Sequence, residues 1–329
     1  MEEPNSVLRW AMFHFAGGDA FLCGMLGFVV CHVALLFFRG ARSRRWLTIG
    51  ARFGLIWSIA VLSPVPWPLI ALFMALLVGW VASQCRNRKA PEAINAASAS
   101  RREQLFRISL AGCALIAVIF ELLHCRFSRP DSEVATLCVV GDSITAGLND
   151  GEDTWPKRLS RRVAARILDA SQPGATLKSA RQQVELLNSF PGDVLLLEIG
   201  GNDLLEGLPL VEFEHDMDQL LAACHKPGRM AVMFELPLPP LATRYGTIQR
   251  HLARQHHVQL IPRRQMLGIL TALGSTVDGI HLSATGHARL ADLVQNLLNF
   301  PAGNSTADDS YRHLEPNGRP AQRGAGPRR

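Results

Sequence analysis

The chain predicts an α/β fold: a three-layer αβα sandwich on a parallel sheet, preceded by about four transmembrane helices. Three observations carry that prediction. Residues 131–300 alternate short apolar runs with stretches of helical periodicity. One of the runs, Val194-Leu195-Leu196-Leu197, is apolar at every position, as a strand must be when helices cover both of its faces. Residues 1–130 hold four long apolar runs with arginine clusters between them. Strands that alternate with helices form βαβ units, whose parallel sheet is sealed by helical layers. The expected organisation is a membrane segment at 1–130, an α/β domain at 131–300 and a disordered tail at 301–329.

The apolar runs of the first segment cover 21–38, 47–63, 67–82 and 108–124, each near the lower limit of the roughly 17 to 25 residues that cross a bilayer. A single run of this length suits a buried core helix equally well; four of them alternating with basic clusters suit a membrane. Glu2 and Glu3 stand where a signal peptide carries basic residues, so an uncleaved anchor is expected. The formal charge of +6 conceals a division: residues 1–130 carry 14 Lys/Arg against 6 Asp/Glu, 131–300 carry 15 against 19, and the tail carries 5 against 3. Basic residues set between apolar runs point to membrane topology and away from a nucleic-acid surface, where they would line one face of a folded domain.

The stretch Ser63-Pro64-Val65-Pro66-Trp67-Pro68 decides the number of crossings. Prolines remove backbone donors and disfavour helix in the residue before each, so a turn is expected there. With two crossings around that turn, Arg39/Arg42/Arg44/Arg45 and Arg86/Arg88/Lys89/Arg101/Arg102/Arg107 share one side, as the positive-inside rule prefers. The expected arrangement is a multi-pass inner-membrane protein with its N-terminus and its α/β domain outside, in a bacterium the periplasm. Arg52, Glu121 and His124 fall near span ends, where solvation or snorkelling suffices.

Within the α/β domain, 134–140, 166–170, 193–199, 229–236 and 258–261 read as strands, and 175–188, 211–224, 243–255 and 284–299 as helices. In open parallel sheets the site lies beyond the carboxyl ends of the strands, which is where Ser143, Gly174 and Asn202 fall. The seven cysteines show no Cys-x-x-Cys pair, and His256-His257 has no third ligand at a recognisable spacing, so neither a metal nor another cofactor is expected. His287 is expected on the surface of the last helix.

Four strings stand in order along the domain: Gly141-Asp142-Ser143, Ser171-Gln172-Pro173-Gly174-Ala175-Thr176, Gly200-Gly201-Asn202-Asp203 and Asp278-Gly279-Ile280-His281. Each alone is turn-prone; together they resemble the four blocks of the SGNH (GDSL) hydrolases over almost the whole α/β domain, with the bacterial thioesterase I/lysophospholipase and arylesterase branch nearest. The resemblance implies a flavodoxin-like SGNH sandwich. It also implies Ser143 as nucleophile, His281 as base, Asp278 as its partner, and the Ser143 and Gly174 amides with the Asn202 side chain as oxyanion hole. Two departures are visible: Leu282 stands where many members have proline, and Pro173 alters the approach to the glycine.

The chemistry also follows from the residues themselves. A serine hydroxyl attacks only when a neighbouring base takes its proton, and histidine is the side chain whose ordinary pKa lies nearest neutrality. Asp278, three residues before His281, is placed to fix its tautomer. Attack on an ester builds negative charge on the carbonyl oxygen; a glycine lets a backbone amide approach it closely, and Asn202 offers a neutral NH2. The expectation is therefore a membrane-anchored serine ester hydrolase acting through an acyl-enzyme on acyl esters or thioesters, whether lipid or O-acylated. The alternatives are an O-acyltransferase with a glycan or lipid-linked acceptor and a non-catalytic membrane binding module.

Overall fold

The computed structural model describes residues 6–38, 40–60, 63–89, 96–149, 151–239, 242–301 and 310–315. The chain divides into two compact units, one of residues 14–125 with 239–243 and one of 1–13, 126–238 and 244 onward. A first helix, α1 (Ser6–Ala16), is followed by four helices of the apolar segment: α2 (Asp19–Phe37), α3 (Ala41–Ala60), α4 (Trp67–Lys89) and α5 (Ala96–His124). Among the described residues three helical stretches, Asp19–Phe37, Trp67–Cys85 and Arg101–His124, are long and apolar enough to cross a membrane.

The expected span at 47–63 is the exception. It lies on α3, which begins earlier and takes in Arg42, Arg44, Arg45 and Arg52, so the helix as a whole is too charged to qualify by composition. The described part of that run ends at Ala60 and resumes at Ser63. Packing nevertheless sets α3 along α2. A Cβ on Gly54 would stand 2.6 Å from the Gly24 carbonyl, one on Gly50 would stand 2.9 Å from Cys31 Sγ, and Arg44 donates to the Leu35 carbonyl at 3.5 Å. Residue numbers rise on one helix as they fall on the other, so the pair is antiparallel, and two glycines allow the backbones to approach as small residues do between membrane helices.

α4 and α5 pair in the same sense: Cys113 lies against the Leu69 carbonyl, and the Arg107 guanidinium stands 5.7 Å from the Trp80 ring centroid. The proline-rich stretch forms the expected break, with Val65 N–H donating to Ser63 O at 2.7 Å and Leu69 N–H to Pro66 O at 3.0 Å. Glu121 departs from expectation. It is 1% exposed, because α5 turns that face toward its neighbours. Arg39, residues 90–95 and the side chains of Arg86, Arg88 and Lys89 lie outside the described residues.

The α/β unit builds a parallel sheet from β1 (Thr136–Gly141), β2 (Arg166–Asp169), β3 (Val194–Glu198), β4 (Met230–Phe234), β5 (Gln259–Ile261) and β6 (Tyr311–His313). Their order is β5-β4-β3-β1-β2-β6. Between them run α6 (Ser143–Ala146), α7 (Trp155–Ser160), α8 (Leu177–Leu187), α9 (Gly201–Leu205), α10 (Leu210–Ala223), α11 (Thr243–Gln255), α12 (Arg263–Leu270) and α13 (Ala284–Leu297). β3 is buried throughout and β1 from Leu137 onward, which is why both run so largely in apolar residues: Leu137, Val139, Leu196 and, on β4, Val232 are fully covered, each burial stabilising by about 1.5–3 kcal/mol. Winding turns outward in both directions from β1 and β3, so the switch point of the sheet lies between them.

The five strands and four helices expected from periodicity are present with their ends shifted by a few residues. The tail expected to be disordered is corrected at 310–314. Tyr311–His313 form β6, paired in parallel with β2 through Ile167↔Tyr311, Leu168↔Arg312 and Asp169↔His313, and Leu314 is buried. A three-residue strand leaves no periodic signal; its pairing is supplied by the exposed edge of β2. Residues 302–309 and 316–329 lie outside the described residues.

Candidate active site

At the end of β1, Gly141 has no side chain because Thr145 folds back over it: a Cβ would sit 2.6 Å from Thr145 Cβ. Asp142 caps the one-turn helix α6 by accepting from Ile144 N–H at 2.9 Å, which satisfies an orphan donor of the first turn and sets Ser143 at its start, 9% exposed. After β2, the Ala175 N–H donates to Gln172 O at 3.2 Å. Pro173 and Gly174 occupy the middle of that turn, Gly174 with φ +73° as the third position of a type II turn requires. The Pro173 departure is thus a turn former, its ring presetting φ for the second position. Gln172 N–H also donates to Gly141 O at 3.0 Å, tying this turn to the nucleophile block.

After β3, Gly200 takes φ +103° to start α9. Asn202 Nδ2 donates to Ala175 O at 2.8 Å, and Asp203 accepts from Leu177 N–H at 3.0 Å, so the asparagine block is fastened to the glycine block by two hydrogen bonds. One Asn202 amide proton is used there; the other remains for a ligand oxygen. A Cβ on Gly201 would meet Asp142 Oδ2 at 3.5 Å, which places the asparagine block against the nucleophile block as well.

The fourth block sits on a loop before α13. Val277 N–H donates to His281 O at 2.9 Å, Thr276 bridges Leu282 in antiparallel sense, and Gly279 makes the reversal with φ +97°. Leu282, the second departure, is buried and anchors this hairpin in the core. Gly286 in the first turn of α13 lies so close to the Ser275 carbonyl that any side chain would displace the loop. Asp278 accepts from the Ile280 and His281 amides at 3.0 and 2.8 Å, and its other oxygen is 2.6 Å from His281 Nδ1. The bond to the imidazole, helped by those amides, holds the Asp278 carboxyl down at about 2.

Asp278 and His281 are therefore brought together, as are Gly174 and Asn202. Among the described residues no hydrogen bond joins Ser143 Oγ to His281. Burial raises the carboxyl of Asp142, the residue before the serine, and His281 acts on it electrostatically against that rise.

A second layer escaped the sequence reading. Glu198, the last residue of β3, is buried against Asp142 and accepts from Thr145 Oγ1 at 2.9 Å, while Trp155 Nε1 donates to the same hydroxyl at 3.2 Å. Burial and the adjacent Asp142 charge push Glu198 well above the usual carboxylate range. A lone carboxylate closing an apolar strand was the available signal. His287 is corrected from surface to core: it is 1% exposed, accepts from Trp155 N–H through Nδ1 at 3.2 Å and faces Glu152 through Nε2 at 3.2 Å. Burial lowers its pKa, and as the neutral tautomer it joins α13 to α7.

A serine at the end of the first strand, a paired aspartate and histidine before the last helix, and a glycine turn braced by an asparagine define an acylhydrolase-type frame. Residues 139–289 match the GDSL-like Lipase/Acylhydrolase family, and this part of the chain is a GDSL/SGNH acylhydrolase domain of the esterase class. Over 196 residues the chain is 28% identical to an arylesterase of Vibrio mimicus, an alignment covering 56% of this chain and 98% of the relative. It is 26% identical over 172 residues to thioesterase 1/protease 1/lysophospholipase L1 of Escherichia coli K12, covering 50% and 83%. A crystal structure of TesA superposes with a TM-score of 0.43 at 27% identity, over 49% of this chain and 97% of that one.

Proposed function

We propose that the chain is a membrane-anchored serine ester hydrolase that works through an acyl-enzyme at Ser143. The observation that carries this reading is the Asp278–His281 pair, with Asp278 Oδ2 2.6 Å from His281 Nδ1. His281 takes the hydroxyl proton as Ser143 Oγ bonds to the ester or thioester carbonyl carbon. The tetrahedral oxyanion is received by the Ser143 and Gly174 amides and Asn202 Nδ2. Collapse expels the alcohol or thiol, which takes the proton back from His281. Water then attacks the acyl-serine by the same route and releases the acid. Substrates are small-molecule or lipid esters.

Turnover of p-nitrophenyl esters of graded chain length by the purified full chain tests catalysis and acyl preference together. A glycan acceptor added to the same assay separates hydrolysis from acyl transfer: free acid as the product supports the hydrolase, and acylated glycan in its place overturns it. Replacing Asn202 by alanine should lower kcat/KM by about 100- to 1000-fold, the usual effect of losing one oxyanion donor. The acidic limb of the pH profile should stay where it is, because Asn202 does not titrate. A strongly displaced limb would couple Asn202 to the base instead.

For topology we propose an inner-membrane, multi-pass arrangement with the hydrolase on the periplasmic side. The antiparallel pairs α2–α3 and α4–α5 return the chain to the side from which it started. The basic side then carries 11 Lys/Arg, counting Arg52, against Arg9, Arg126 and Arg129 opposite. An alkaline phosphatase fused after Arg329 should be active in a bacterial host. Ser98→Cys, in a chain whose native cysteines are serine, should resist impermeant thiol reagents in intact cells. An inactive fusion together with a labelled cysteine would place the hydrolase in the cytoplasm.

A further inference from the structure

The short strand β6 lies beyond the 139–289 stretch that matches the family, and its side chains converge on one residue of β2. Asp169 is 1% exposed, and its carboxylate is fully engaged. Oδ1 accepts from Ser171 N–H at 2.9 Å and Ser171 Oγ at 2.5 Å; Oδ2 accepts from Tyr311 Oη at 2.9 Å and stands 3.9 Å from His313 Nδ1. The backbone closes the same clasp, with Ile167 N–H donating to Ser310 O and Leu314 N–H to Asp169 O, both at 2.8 Å. Ser171 opens the glycine block. The next residue, Gln172, is bonded to Gly141 and begins the turn that carries Gly174.

We propose that β6 is a positioning element for the reaction: Tyr311 and His313 hold Asp169, Asp169 holds Ser171, and the tail thereby sets the turn that presents the Gly174 amide. The inference rests on the reading of Gly174 as an oxyanion donor. Two physical effects support it. An oxyanion donor works only when its position is fixed before charge develops, and the turn at Gly174 is fixed from behind by Ser171. The tail also completes the donors around the buried Asp169 carboxyl group by supplying a phenol and an imidazole, so that its hold on Ser171 is fixed from the far side. Burial, followed by the Asp169 charge, raises the Tyr311 phenol, so it stays a donor. Asp169 likewise raises the His313 pKa against the opposing effects of burial and Lys157, with Glu315 adding to the rise.

The test is Tyr311→Phe and the double variant Tyr311→Phe/His313→Gln, made in the full chain and assayed with a p-nitrophenyl ester well below their melting temperatures. Ser143→Ala is run beside them. The double variant should lose about tenfold in kcat with KM within about twofold, a fraction of the loss from deleting an oxyanion donor outright. A purely structural strand would lower the melting temperature and leave kcat alone. A wild-type kcat, or a loss confined to KM, overturns the proposal. If the double variant does not fold, the single variant decides by the same criteria, since it removes one oxygen atom. Turnover retained by Ser143→Ala would sink the serine mechanism and this inference with it; turnover lost there but kept at wild-type kcat in the tail variants would sink this inference alone.

Discussion

Ser143→Ala should abolish ester turnover, with a loss of about a millionfold in kcat, the scale seen when a serine hydrolase loses its nucleophile. The hydroxyl is the only covalent acceptor in the proposed route, and what remains without it is binding plus the oxyanion donors. The substitution is mild for the fold. Asp142, not Ser143, caps α6, and the small side chain is already buried, so alanine fits the same space. Two measurements check it: p-nitrophenyl ester hydrolysis, and labelling by a fluorophosphonate probe that reacts only with an activated serine. Both should be lost while the melting curve is kept. Labelling at the wild-type level would remove Ser143 from the mechanism.

Asp278→Asn should keep the loop and lose about 10,000-fold in kcat. The side-chain oxygen of asparagine can still accept the Ile280 and His281 amides, which define the turn. Its NH2 group, however, would face His281 Nδ1, where the carboxylate now accepts at 2.6 Å. The imidazole then turns an acceptor toward residue 278 and carries its proton on Nε2, so it can no longer receive the proton of Ser143. The pH dependence separates the two side chains. Asp278 is held at about 2, below its ordinary 3.8, so its contribution to the native loop is present above about pH 4 and lost as pH falls through about 2. It does not titrate near neutrality, so an acidic limb of kcat/KM near neutral pH in the wild-type chain does not belong to Asp278. Full turnover in Asp278→Asn would mean that another group orients the histidine.

Much of this molecule was legible as a linear pattern, and the reasons are local. Val194–Glu198 reads as a buried strand because a strand covered on both faces admits few polar residues. The serine, glycine, asparagine and aspartate-histidine blocks were legible because each needs small or turn-forming residues at fixed spacing, and because a parallel sheet delivers every strand's carboxyl end to one edge. The apolar helices of the first segment were legible from length and hydropathy, although α3 begins six residues before its apolar run does, and its arginines come with it.

By itself, then, the sequence determined the α/β class, the order of the four candidate site blocks and the presence of an apolar helical segment, since all three depend on local composition and periodicity. Tertiary structure alone decided the rest. The pairing of Gly24 with Gly54 depends on two helix surfaces meeting. The burial of Glu198 beside Asp142 depends on β1 and β3 ending side by side. His287 is buried because Glu152 and Trp155 N–H come to it from another element. Tyr311 reaches Asp169 across 142 residues of chain because an open sheet edge offers hydrogen bonds to any segment that arrives there. Polar side chains acquire their partners only when the chain has closed, and no spacing along the sequence encodes which partner that will be.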